Sequence, residues 1–233
     1  MIIAIDGPAG AGKSTVAKIV AKKLGFLYID TGAMYRALTL KALEEKTDIK
    51  DTQKLIEIAS RASIDLTNNP DGSLKVLLDS RDVTSAVREP RITRFVSDIA
   101  KIRGVREKML ILQRRLGEKG NAVLDGRDIG TVVFPDAHKK FFLDADFQER
   151  VSRRFKELES AGQNVTLPEV NSDLHNRDTI DTHREFAPLK KAEDAIYIDT
   201  TDMGIREVVS IILEAIHKSQ ITIHKSQTNH NTQ

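Results

Sequence analysis

The chain has 233 residues with 36 Lys and Arg against 34 Asp and Glu, a formal charge of +2. This length can bury a full core, as one domain with an insertion rather than two independent units. Cysteine is absent, which excludes disulfides, thiolate zinc sites and cysteine nucleophiles. Apolar runs of four or five residues are too short for a membrane span or a signal segment, so a soluble, cytoplasmic protein is expected.

Ile2-Ile3-Ala4-Ile5 reads as a short buried strand, and Ser14 to Leu24 as a helix with Val16, Ile19, Val20 and Leu24 at helical spacing. Between them, Gly7-Pro8-Ala9-Gly10-Ala11-Gly12-Lys13-Ser14 fills every position of G-x-x-x-x-G-K-[ST]. Strand, glycine loop and helix together form a phosphate cradle. The glycines let backbone N–H groups close on an anion, Lys13 reaches the outer phosphates, and the Ser14 hydroxyl can hold Mg²⁺. The helix N-terminus adds partial positive charge. A nucleoside triphosphate, or a close analogue, is the expected ligand.

Phe26 to Ile29 reads as a second strand, ending at Asp30-Thr31-Gly32, and a helix follows from Ala33 to Glu45. Asp30 or Thr31 can cap it. Arg36 lies in its first turns, where a cation opposes the helix dipole unless an anion faces it. Leu55 to Ala62 is amphipathic. Ser63 to Asn68 and Leu74 to Asp79 then predict a β-hairpin turned by Asn69-Pro70-Asp71-Gly72, an antiparallel insert between helices. Helical patterns return at 90–102 and 105–116. The ten basic and four acidic residues from Arg88 to Lys119 are spread around these helices, with Phe95 the one aromatic among them. That pattern describes a solvated face better than a nucleic-acid surface.

Ala122 to Asp125 is a buried strand ending in a carboxylate that can orient Mg²⁺ or its waters. Arg127 and Asp128 follow at the strand end, where α/β sheets bind ligands. After a strand at 140–143 comes a charged helix at 147–160, with Arg150, Arg153 and Arg154 on one face. A salt-bridged surface helix using Glu149 and Glu157 explains that spacing as well as a ligand does. A polar helix at 169–181 carries Arg177 and Asp181 in one stripe with Arg184, provided the helix continues past Asp181. Arg before Asp is the weaker orientation for a helix-surface pair, so ribose and phosphate contacts account for the stripe better. A last strand at 195–198 and a last helix at 205–216 complete the pattern. Alternating strands and helices predict a parallel sheet covered on both faces. His217-Lys218-Ser219-Gln220 recurs at His224-Lys225-Ser226-Gln227, and a polar, disordered tail over 219–233 is favoured over a metal-binding one.

No guanine-recognition [NT]-K-x-D element is present, which removes the GTPase reading. The blocks Ile5 to Pro8 with the P-loop, Asp30 to Arg36, Asp125 to Pro135, Phe142 to Ala145, Arg177-Asp178, Ala187 to Leu189 and Ile198 to Thr201 resemble the bacterial cytidylate kinase family. They are nucleoside monophosphate kinases, and the resemblance spans about 2–218. Thr179 and Ile180 depart from the charged residues of some relatives, so only Arg177, Asp181 and Arg184 carry over from that helix.

The resemblance implies a P-loop NTPase fold: a five-stranded parallel sheet flanked by helices, a nucleotide-monophosphate-binding insert over about 37–104 (small antiparallel β plus helices), and a short lid over about 150–170. It implies ATP-dependent, Mg²⁺-dependent phosphorylation of CMP and dCMP, with UMP as the alternative acceptor, by a monomer needing neither nucleic acid nor membrane. ATP would be held by Gly7, Pro8, Ala9, Gly10, Ala11, Gly12, Lys13, Ser14, Thr15 and Arg153. Thr31, Ser97, Arg106 and Asp128 would meet cytosine, and Arg36, Arg127 and Arg184 the acceptor phosphate. Arg177 and Asp181 would meet the ribose. Lys13, Arg127, Arg150, Arg154 and Arg184 would be catalytic, with Ser14 and Asp125 at the metal.

Overall fold

A computed structural model describes residues 1–69, 71 and 73–229. Five strands, β1 (Ile2–Asp6), β2 (Leu27–Asp30), β6 (Ala122–Gly126), β7 (Lys139–Asp144) and β8 (Ile196–Asp199), form one sheet in the order β2-β6-β1-β7-β8. All its pairings are parallel. The central strands are continuous apolar runs because helices cover both faces, so Ile3, Ala4, Ile5, Ala122, Val123 and Leu124 are wholly buried. At the edge, β8 leaves Ile196 and Tyr197 exposed. Register aligns Ile5 and Asp30 with Asp125, and Asp6 with Gly126. The carboxylates ending β1, β2 and β6 therefore gather at one edge of the sheet.

Helix α1 (Lys13–Leu24) is bounded by left-handed glycines, Gly12 at φ 81° and Gly25 at φ 67°. Only a residue without Cβ adopts those angles at little cost. Helix α2 (Thr31–Glu44) begins where the Asp30 side chain accepts from the Ala33 N–H at 2.7 Å.

Between α2 and β6 lie α3 (Thr52–Arg61), an antiparallel sheet of β3 (Ile64–Asn68), β4 (Leu74–Leu78) and β5 (Arg81–Asp82), then α4 (Pro90–Ala100) and α5 (Arg103–Gly117). The short third strand is not signalled by the sequence. It is reached through Asp79 and Ser80, both at positive φ (48° and 67°), where no glycine marks the turn. Pro70 and Gly72, expected in the hairpin turn, lie outside the described residues.

After β6 the chain enters a π-helical turn, Ile129–Val133, which periodicity does not announce. Two long helices follow β7: α6 (Phe147–Ser160), capped by Asp146, and α7 (Leu167–His183), started by a Thr166–Glu169 capping box. They pack on a small cluster of Ala9, Val151, Val170 and Leu174, separate from the main core. The last helix, α8 (Ile205–Asn229), runs past the expected helix end at residue 216. Neither glycine nor proline interrupts that stretch, so nothing stops helical backbone where the apolar stripe ends. Residues 230–233 of the expected tail lie outside the described residues. Among the described residues no helix is long and apolar enough to cross a membrane.

Candidate active site

The loop after β1 is built by close approach. A Cβ on Gly7 (φ 145°) would lie 1.9 Å from the Leu143 carbonyl oxygen of β7, and Gly10 (φ 78°) sits against the Arg150 backbone. Lys13 is buried, its ammonium donating to the Pro8 carbonyl at 2.5 Å. Burial, and then the nearby Arg127 guanidinium, hold that ammonium well below the usual lysine range, against the pull of Asp125. An anion in the loop would relieve this repulsion.

Asp125 ends β6 directly opposite. Its Oδ2 accepts from the Ser14 hydroxyl at 2.6 Å and its Oδ1 from the Tyr28 hydroxyl at 2.9 Å. Burial, followed by the Asp30 charge, pushes it up to about 6, while Ser14, Lys13 and Tyr28 act in the other direction. Ser14 and Asp125 thus form a pair of oxygen donors suited to a hard divalent cation. The described residues contain no cluster of three or more His, Asp or Glu able to hold a metal alone. That suits an ion completing its shell with phosphate and water.

On the other side of the cleft the cations are tied in place. Arg36 meets Asp30 at 3.0 Å, and Arg127 Nε meets Asp181 Oδ2 at 2.8 Å. Arg184 approaches Asp181 Oδ1 at 3.2 Å and Asp128 at 3.5 Å, while its Nε donates to the Ala187 carbonyl. Asp181 lies below the usual carboxylate range because Arg127, Arg177 and Arg184 outweigh its burial. Arg177, half-buried, is pushed down to about 10 by desolvation and then by the Arg127 charge. Deeper in, Arg106 donates to Asp128 Oδ2 at 2.5 Å, stacks 5.3 Å from the Tyr35 ring centroid and donates to the Ala100 carbonyl. Arg106 and Asp128 are both under a tenth exposed. Such a pair costs desolvation unless its fixed geometry serves recognition.

These groups line one crevice of about 1580 Å³, from the P-loop past Thr31, Ser97, Arg127, Asp128 and Arg177 to α6. A single small-molecule site occupies about 300–1,000 Å³, so there is room for two nucleotides. The three arginines of α6 separate. Arg153 reaches the Thr200 and Thr201 carbonyls at 2.6 and 3.1 Å, and Arg154 pairs with Glu157 at 2.8 Å; both line the crevice. Arg150 does not. It turns inward to the Ala9 and Ala145 carbonyls (3.0 and 3.1 Å) and to Asp178, bracing the P-loop. Sequence reasoning missed Tyr28, Thr200 and the bracing role of Asp178. The strand-end rule could have flagged Thr200, which follows β8, but not Tyr28, which lies inside β2.

A P-loop at the carboxyl edge of a five-stranded parallel sheet, facing a second cationic half-site, defines a P-loop kinase for a small acceptor. The sequence model described as cytidylate kinase matches residues 3–218. A cytidylate kinase of Clostridioides difficile is 50% identical over 93% of this chain and 98% of its own length. One from Bacillus subtilis is 51% identical over 93% and 96%. The chain belongs to the cytidylate kinase family. Among solved structures, a gluconokinase from Sinorhizobium meliloti matches with a TM-score of 0.50 at 13% identity, covering 97% of this chain and 96% of its own, a likeness of fold alone.

Proposed function

We propose that this enzyme transfers the γ-phosphoryl group of ATP to CMP, and to dCMP, giving ADP and CDP or dCDP, as a cytoplasmic monomer. The observation that carries the reading is the buried Arg106–Asp128 pair, which lines the same crevice as Arg127, Arg177 and the P-loop Lys13. Among the described residues, Asp128 Oδ1 has only the long 3.5 Å contact to Arg184, which leaves it able to accept from the cytosine amino group. Arg106 and Ser97 donate to the ring acceptors, and Thr31 borders the same pocket. Uracil offers a carbonyl where cytosine offers the amino group.

The acceptor phosphate is already an anionic nucleophile, so no general base is needed. One of its oxygens bonds to the γ-phosphorus as the bond to the β–γ bridging oxygen breaks, and the electron pair leaves with ADP. The protein's part is positioning and neutralisation of charge. Lys13 and the loop N–H groups hold the ATP phosphates, with Arg153 at the wall of that half. Arg36, Arg127 and Arg184 hold the acceptor phosphate, Arg177 and Asp181 the ribose, and Arg154 approaches the transferring group on closure. Ser14 and Asp125 would hold Mg²⁺, which when bound supplies further charge neutralisation at the phosphates.

An acceptor panel of CMP, dCMP, UMP, AMP and shikimate tests this. Leaving a buried acceptor unpaired costs about 1–3 kcal/mol, so kcat/KM should favour CMP over UMP by about tenfold or more. Failure of CMP with turnover of another acceptor overturns the assignment.

A further inference from the structure

Asp6 ends β1, one residue before the P-loop, and is 4% exposed. Its side chain reaches the segment that follows β6. Oδ1 accepts from the Ile129 N–H at 2.8 Å and Oδ2 from the Gly130 N–H at 2.7 Å. These are the opening N–H groups of the π-helical turn after β6, which have no partner within their own turn. The turn begins directly after Arg127 and Asp128. Beyond Gly126 that segment has left the β1–β6 ladder, so sheet pairing no longer fixes it. Its far end is held separately, by Arg114 donating to the Val132 and Val133 carbonyls. The near end is held by Asp6 together with the Val132 and Val133 N–H groups, which donate to the Asp128 carbonyl at 2.9 and 3.1 Å. Burial pushes the Asp6 carboxyl up to about 7, with the two N–H groups drawing it down.

We propose that Asp6 is a positioning residue for the acceptor nucleotide: it clamps the backbone that carries Arg127 and Asp128 and so sets acceptor affinity and base selectivity. The inference rests on the reading of Asp128 as the cytosine contact. The clamp acts on one substrate because the P-loop has its own supports. Asp6 stays in register with Gly126 and Phe142 through its backbone, and Gly7 is wedged against Leu143. Asp6→Asn keeps size and shape but offers one acceptor oxygen for two N–H groups, so one side of the clamp lets go.

The experiment is initial-rate kinetics on wild type, Asp6→Asn and Gly130→Ala, varying CMP at saturating ATP and then ATP at saturating CMP, with UMP as a second acceptor. Melting temperatures are recorded alongside. Gly130→Ala crowds the same turn, placing a methyl 3.1 Å from Lys140 Cδ and in ordinary contact, at 3.4 Å, with Asp6 Oδ2. Because sub-ångström misplacement at a reacting centre is costly, kcat/KM for CMP should fall about tenfold in Asp6→Asn. KM for ATP should stay within about twofold and CMP-over-UMP preference should shrink, with a weaker change of the same kind in Gly130→Ala. Equal weakening of both substrates, or a lower melting temperature with unchanged kinetics, overturns the proposal. If Asp6→Asn fails to fold, Asp6→Glu, which keeps both acceptor oxygens on a longer stem, decides by the same asymmetry. Wild type failing to turn over CMP would instead remove the underlying reading.

Discussion

Arg127 donates to Asp181 through Nε and to the Gly126 carbonyl through one terminal nitrogen. It is anchored from behind, beside Lys13. A cation preorganised in this way acts where charge develops, so Arg127→Ala should lower kcat about 10²-fold while KM for ATP moves only a few-fold. Steady-state kinetics with each substrate varied separate the two effects; equal losses would place Arg127 in uniform binding. Asp125 gives a pH prediction. Its carboxyl titrates at about 6 and must be ionised to serve a dication, so kcat/KM for ATP should fall as pH drops through that value. A profile flat from pH 7 to 5 would contradict it. Residue identities were legible in the sequence where spacing alone fixes the chemistry, as in Lys13 and Ser14. Partnerships were not. Arg150 shares a helix face with Arg153 and Arg154, yet its neighbours Ala9, Ala145 and Asp178 come from distant segments, and no local pattern reports them.

Helices α6 and α7 rest on an apolar cluster of their own. Their shared apolar cluster has four buried residues, whereas the strands sit in the main core. Sparse apolar contact places them at the low-stability end of the molecule. Amide exchange should be faster in α6 and α7 than in β1 and β6, and ATP with CMP should slow it selectively. Leu174→Ala, at a cost of about 2–5 kcal/mol, should speed exchange in α7 and leave the strands' protection unchanged. Uniform acceleration would show that these helices belong to the main cooperative unit. At this scale the alternation of strands and helices could be read from hydrophobic period and caps. What could not was β5, the π-helical turn and the extension of α8. The first two depend on tertiary hydrogen bonds and unmarked positive φ angles, and the third runs on past the apolar stripe that announces a helix.

For the whole molecule, strand order decides function. Placing β1 between β6 and β7 sets the P-loop beside Asp125 through Asp128, and the segment between α2 and β6 returns α4 and α5 to cover the far side of the same crevice. Cations surplus to the ion pairs face each other across it, so binding two polyanions should relieve repulsion and draw the halves together. Closure over both nucleotides would exclude the water that otherwise wastes ATP. The most direct test is a phosphorus balance on the purified enzyme with Mg²⁺, ATP and CMP, followed by ³¹P NMR. ADP should appear only when CMP is present and be matched one for one by CDP, with no inorganic phosphate. ADP balanced by inorganic phosphate, at a rate indifferent to CMP, would contradict the account.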